Sequence, residues 1–326
     1  MSRGAVLEQG KRRLRAPAAH VLLATARRRS AAAGAALCYH RVGDPQGQPG
    51  YELVPRLGSR LFADQLRLAR ARFALVTASE LPEAVATRRR GAPFPLAITF
   101  DDDLAAHAAV TLDLLRSERI PATFFVGGAS LDGPRPFFWE ALQAALDAGV
   151  RADDPLLPRV DAAAGPGGAH RVADAIRLLP RGERDALTVT LTERAGGVLR
   201  EAGLAEPALR RLVDAGFEVG FHTLDHESLD RLGDGELAAA LHDGRERLEE
   251  ISGRPLRTVA YPFGLADARV AHAARVAGYR VGYTLAPVPV RAHDDPLLLG
   301  RFQPSFASAD RTGLELARAL AGAGRP

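Results

Sequence analysis

Asp101, Asp102 and Asp103 directly follow the apolar run LAITF (96–100), so three carboxylates stand in consecutive positions at the end of a predicted strand. A single aspartate there would cap the free N–H groups of a helix, and LAAHAAVTLDLLRS reads as the helix that follows. One cap needs one acid, whereas three like charges repel one another, a cost that a bound cation would relieve. Downstream, FHTLDH (221–226) follows the apolar FEVGF and carries two imidazoles four residues apart. A first turn of helix would place His222 and His226 on one face. With a carboxylate from another strand end they would form a three-ligand set of the kind that holds catalytic Zn²⁺ and leaves a position open for water. The same histidines also admit a plainer reading as surface or partly buried residues. YPFG (261–264) closes another strand with a Pro-Gly turn, and such a turn also aims a backbone N–H where it could stabilise a developing oxyanion.

From about residue 35, short apolar runs alternate with helical segments, the pattern of a mostly parallel α/β sheet or barrel. Strands are predicted at 35–40, 73–76, 96–100, 122–126, 217–221, 258–262 and 279–284. The acids and the histidines both begin where a strand ends, and in a β/α barrel those ends share one face. Helices are expected from Ser59 to Arg72, capped by Ser59, and from Asp234, as its cap, through Leu237, Leu241, Leu248 and Ile251. About ninety residues separate the fourth and fifth strands, far beyond an ordinary connection, so an insertion is expected at about 130–205. Its centre, 151–170, is rich in Pro, Gly and Ala and reads as a loop. FFWEALQAAL and RVADAIRLL, on either side, read as helices. The expected organisation is a basic N-terminal arm (1–34), a barrel (35–306) and a C-terminal helix and tail (307–326).

The basic balance is local, with a net charge of +8 over residues 1–41 and −4 over the remainder. Such an arm is expected to be solvated, with peripheral contact to an anionic membrane surface as its open alternative; no nucleic-acid partner is expected. VLLATA is too short for the apolar core of a secretion signal and runs into RRR, and no run reaches membrane-spanning length, so the chain reads as cytoplasmic. A single cysteine, Cys38, excludes an intrachain disulfide.

TFDD (99–102), HTLDH (222–226) and YPFG (261–264), in this order and each after a strand, resemble the first three motifs of the polysaccharide deacetylases, the NodB-homology carbohydrate esterases. LCYHRV (37–42) and IPATFFVGG (120–128) also resemble that family's opening strand and the strand after its first motif. The resemblance implies a distorted (β/α)₇ TIM-like barrel. It also implies a hydrolase that removes an acetyl group from an N-acetylated sugar or polysaccharide with a divalent metal, Zn²⁺ being the expected ion. Carried over by position, Asp101 is the general base, Asp102, His222 and His226 are the metal ligands, and the Phe263 backbone N–H is the oxyanion donor. Tyr261 and Asp103 are expected to touch substrate, with helix capping or contact with the insertion as the other roles open to Asp103.

The chain departs from that pattern where Asp103 replaces a glycine, where Ala260 replaces an arginine, and in lacking a C-terminal Leu-x-His. His40 is the substitute proposed for the general acid and Arg301 for the missing cation that orients Asp101, while His107 and His293 are weaker candidates. A glycan-binding barrel without turnover, or a hydrolase of another C–N bond such as a formamide or cyclic amide, stands as the alternative.

Overall fold

The computed structural model of the chain describes residues 17–29, 32–43, 52–161, 165, 167–197 and 203–323. Its strands are β1 (Ala33–Tyr39), β2 (Ala74–Val76), β3 (Pro95–Asp101), β4 (Thr123–Val126), β5 (Glu218–Phe221), β6 (Thr258–Ala260), β7 (Val281–Tyr283) and β8 (Val290–Arg291). They are ordered β7-β6-β5-β4-β3-β1-β8, with β2 beside the first half of β3. All pairings are parallel except that of β8, which runs antiparallel to β1 at Ala33 and Gly34. The result is a curled, distorted half-barrel. All seven expected strands are present within two residues of their predicted ends. They were legible because β1 and β3 are buried at every position, so both faces must be apolar and the strands appear as unbroken hydrophobic runs. The two-residue β8 is too short to leave such a trace.

A segment without regular strand structure joins the first and last parallel strands. Leu299 bridges Tyr283 of β7, and Phe302 bridges Leu37 of β1. Phe302 N–H donates to the Ala36 carbonyl at 2.8 Å and its own carbonyl accepts from Cys38 N–H at 2.9 Å, so Arg301 is held in the seam beneath the strand ends.

The helices are α1 (17–29), α2 (Ser59–Arg72), α3 (Leu81–Ala86), α4 (Val110–Glu118), α5 (Phe138–Asp147), α6 (Gly168–Arg177), α7 (Arg181–Arg194), α8 (Glu206–Asp214), α9 (Asp234–Ala240), α10 (Arg245–Ser252), α11 (Ala268–Val276) and α12 (Ala309–Gly322). α2 has the expected bounds, but Gly58 occupies the cap position and Ser59 is the first helical residue. The single helix expected from Asp234 to Ile251 is two. Gly244, at φ 79°, stands between α9 and α10, and a side chain there would press on Leu224. A left-handed residue ends a helix wherever it falls in the hydrophobic pattern. LAAHAA, expected as the start of a helix, forms a 3₁₀ turn (Ala105–Ala108) before α4.

Between β4 and β5 the chain forms α5 to α8, and the described residues between α5 and α6 form neither helix nor strand. Trp139, Leu142, Val172, Ile176 and Leu191 give α5, α6 and α7 a small core of their own. The arm expected at 1–34 is corrected for part of its length. In α1 the residues Ala19, Leu23 and Ala26 are buried in the main core, because their spacing of four and three gives the helix one apolar stripe, while Arg28 and Arg29 are exposed and Arg27, partly buried, donates to the Arg72 carbonyl. The remaining basic residues before Pro17 lie outside the described residues. The C-terminal helix is α12, with Leu316, Ala317 and Leu320 buried. Among the described residues no helix is long and apolar enough to cross a membrane.

Leu23→Ala separates a packed helix from a dispensable arm. Loss of its buried side chain should cost about 2–4 kcal/mol and lower the melting temperature by about 5–10 °C, whereas truncating a solvated arm would leave the calorimetric midpoint unchanged.

Candidate active site

Asp101 ends β3 with 2% of its surface exposed, and Arg301, beneath it, has none. The guanidinium meets the carboxylate in a two-pronged pair, Nη1 to Oδ1 at 2.6 Å and Nη2 to Oδ2 at 2.7 Å. Nη1 also donates to Thr99 Oγ1 at 3.1 Å and Nε to the Thr284 carbonyl at 3.1 Å, so the guanidinium plane is fixed from β3 and from the end of β7. Burial pushes the Asp101 carboxyl upward, but the Arg301 charge outweighs it and holds the pKa at about 2. Arg301 thus stands where Ala260 provides no cation, and Asp101 remains ionised throughout the neutral range.

Asp102 adopts φ 75°. This left-handed turn points its carboxylate away from Arg301 and toward β5, so adjacent acids serve different partners. His107 is fully buried and its Nε2 donates to the Asp101 and Asp102 carbonyls at 2.9 and 3.1 Å, holding the turn from behind. Asp103 requires correction: it neither caps a helix nor reaches the cavity. Its Oδ1 accepts from Gly127 N–H at 2.8 Å and Gly128 N–H at 3.3 Å, and burial raises its pKa. A side chain at Gly127 would collide with the Thr223 carbonyl, so this glycine lets the loop bearing the histidines lie against the turn that Asp103 holds.

His222 and His226 converge by a route the sequence did not suggest. No helix begins after β5; instead Thr223 and His226 take φ 63° and 48°. Left-handed non-glycine residues cost of order 1–3 kcal/mol each, and they bring both rings to one side of the loop. His222 Nε2 lies 3.4 Å and His226 Nε2 3.3 Å from the same oxygen, Asp102 Oδ1. His222 Nδ1 is 2.8 Å from the Ala260 carbonyl, which can only accept, so Nδ1 carries the proton and Nε2 presents a lone pair. Asp102 Oδ1 is buried without a hydrogen-bond donor. Lone pairs aimed at one another in a buried site require a cation or a proton between them. Burial lowers the affinity of both rings for a proton; on His222 the Asp101 and Asp102 charges reverse this and raise its pKa, whereas His226 remains lowered. The donor set, two imidazoles and one carboxylate with their ligand atoms all within 4.8 Å, fits a divalent cation of the zinc type.

These groups open onto a cavity of about 310 Å³. His40, at the end of β1, lines it with Asp101, Asp102, His222, His226 and Phe263, and Phe263 stands at φ 58° in the 3₁₀ turn Pro262–Gly264. Tyr261 does not reach the cavity, a second correction. Its side chain is fully buried and its hydroxyl donates to the Leu297 carbonyl at 2.9 Å, the usual arrangement for a tyrosine in a core. His293 is largely exposed and absent from the site. The sequence reading missed the opposite wall: Trp139 from α5 and His170 and Arg177 from α6. Trp139 packs on His226 with ring centroids 4.7 Å apart, and its Nε1–H is buried without an acceptor. Arg177 lies over the Phe263 ring at 5.2 Å and donates to Ser228 Oγ at 3.1 Å. FFW in an amphipathic helix carries no signal beyond core packing. A larger cavity of about 490 Å³ lies behind Trp139 and His226, but the ligand set faces the smaller one.

The buried pair predicts the pH dependence of stability. Because the folded-state pKa of Asp101 is depressed, its stabilisation is present above pH 4 and fades as pH falls toward 2. Arg301→Met should therefore cost about 3–5 kcal/mol at pH 7, and the gap in denaturant midpoint between variant and wild type should narrow at pH 3.

The polysaccharide deacetylase family model matches residues 178–282, a stretch that contains His222, His226 and YPFG but not the acids of β3. Solved structures share the fold over nearly the whole chain. A deacetylase from Streptococcus pyogenes, PplD, in complex with acetate is 14% identical, with a TM-score of 0.60 over 88% of this chain and 99% of that one. IcaB from Ammonifex degensii is 20% identical, with a TM-score of 0.55 over 88% and 97%. A polysaccharide deacetylase from Bacillus cereus is 17% identical, with a TM-score of 0.56 over 87% and 69%. The resemblance carried by HTLDH and YPFG thus falls inside a polysaccharide deacetylase match over 178–282, and nearly the whole chain has the fold of solved deacetylases.

Proposed function

We propose that the protein is a metal-dependent deacetylase acting on an N-acetylated sugar or glycan. The observation that carries this reading is the buried, unpartnered Asp102 Oδ1 faced by two imidazole nitrogens, directly beside an aspartate kept ionised by Arg301. Asp102, His222 and His226 would hold the cation. When bound, a zinc-type ion supplies Lewis acidity, making water more acidic and polarising the acyl oxygen.

The protein's own groups account for the remaining chemistry. The Asp101 carboxylate, which lies beside His222 at the cavity, accepts the proton of the attacking water. At a pKa of about 2 Asp101 is always available but intrinsically weak as a base, which is why its work depends on a water already made acidic. Arg301 positions that carboxylate and does not touch substrate. The Phe263 N–H, in a turn at the cavity wall, meets the developing negative charge on the acyl oxygen. His40, beside Asp101 in the cavity lining, returns a proton to the leaving nitrogen, the role for which the chain has no C-terminal Leu-x-His. Trp139 and Phe263 offer apolar faces for a sugar ring, and the free Trp139 indole N–H a donor for one of its oxygens.

The test is acetate release from N-acetylated chito-oligosaccharides by zinc-loaded protein. Asp101→Asn should retain about one equivalent of metal by elemental analysis while the turnover number falls by about 10²–10⁴-fold; full activity in this variant would remove the base assignment. Asp102→Ala should lose the turnover and the ion held with His222 and His226. His40→Ala should keep the metal and turn over more slowly, and an unchanged rate would assign the acid elsewhere. Stoichiometric metal with no acetate from any acetylated sugar would overturn the reading.

A further inference from the structure

Outside the Asp102 set, a second group of ligand atoms converges. Cys38 Sγ, His40 Nδ1 and Asp101 Oδ2 all lie within 4.8 Å of one another, with Sγ 3.4 Å from Oδ2 and 4.0 Å from Nδ1. The fold produces this grouping directly. Cys38 is paired with Thr99 on the adjacent β3, and Asp101 ends that strand, bringing it level with the end of β1 where His40 lies. Bonds of about 2.0–2.3 Å around a tetrahedral zinc-type ion set neighbouring donors about 3.3–3.7 Å apart; the Sγ–Oδ2 separation already falls in that range, and Nδ1 reaches it by a small rotation of the His40 ring toward Sγ.

We propose that Cys38, His40 and Asp101 form a second cation site, weaker than the first, selective for a thiophilic divalent ion such as Zn²⁺ or Co²⁺. Binding exchanges the ion for a proton: the Cys38 S–H bond breaks, the proton leaves to solvent, and the sulfur lone pair forms the bond to the metal, with no change of oxidation state. Arg301 need not be displaced. One lone pair of Asp101 Oδ2 accepts from Nη2, while the other faces the Cys38 thiol and becomes available when that proton is lost. Entry is through the cavity, which His40 and Asp101 both line and beneath which Cys38 is buried. The thiolate is the soft ligand that distinguishes this site from the imidazole–carboxylate set beside it. Occupancy takes both His40 and Asp101 out of use. Under the reading in the preceding subsection these are the acid and the base, so excess metal stops turnover; that consequence rests on the deacetylase reading, whereas the site does not.

Cys38 is the only cysteine in the chain, so a thiolate-to-cobalt charge-transfer band reports this site alone. Titrating metal-free protein with Co²⁺ should develop that near-ultraviolet band with the second equivalent in the wild type, and with the first in Asp102→Ala. It should be absent in Cys38→Ala and require at least about tenfold more Co²⁺ in His40→Ala. Activity should rise to one equivalent of Zn²⁺ and fall at the second, while Cys38→Ala stays active at the concentration that inhibits the wild type. Visible cobalt bands at saturation without the charge-transfer band would overturn the site even if acetate is released. The charge-transfer band without acetate release from any substrate would uphold the site and sink the deacetylase reading. Should Cys38→Ala fail to fold, the wild-type spectrum decides alone.

Discussion

The pair between Arg301 and Asp101 is the constraint on which the remainder of the site depends. It joins residues two hundred positions apart, fixes the end of β3 against the segment that links β7 to β1, and does so with both partners out of water. Burying two charges is costly, and such a pair is weak evidence for stability as such. Its value here is directional. With Asp101 turned toward Arg301 and Asp102 turned by its left-handed backbone toward β5, two adjacent carboxylates that would otherwise repel become one fixed anion and one oxygen facing two imidazoles.

The rest of the site follows the same division between strand ends that position and loops that aim. β3, β5 and β6 deliver their last residues to one face, and His222 Nδ1 is locked by the carbonyl of Ala260 from the neighbouring strand. The aiming is done by Asp102, Thr223, His226 and Phe263, each in the left-handed region. Four such residues around one cavity are a concentration of backbone strain that packing elsewhere must offset. Asp103 and His107 contribute by satisfying backbone groups of these turns rather than by touching a ligand.

Much of the fold and the meeting of Asp102 with His222 and His226 was legible in the sequence. Strands buried on both faces leave uninterrupted apolar runs, and acids or histidines directly after such runs have few structural uses. What failed to show has equally physical causes. Thr223 and His226 carry no glycine to betray their conformation, so a helical turn was the natural expectation for two histidines four apart. Tyr261 belongs to a motif beside the cavity, yet its hydroxyl needed only one acceptor and found it in the core. Asp103 read as a substrate contact or a cap because nothing in sequence reveals that Gly127 would come within reach from another strand. The wall formed by Trp139, His170 and Arg177 was invisible because an insertion's orientation depends on tertiary packing, and its helices look like any amphipathic helices.

The linking segment around Arg301 follows all eight strands in chain order, and this has a consequence for synthesis. Until Leu299 to Phe302 leave the ribosome, Tyr283 of β7 and Leu37 of β1 lack their bridging partners and Asp101 lacks its cation, so the strands are all made before the seam that joins them. Closing that seam and neutralising Asp101 are thus one and the same late step of folding.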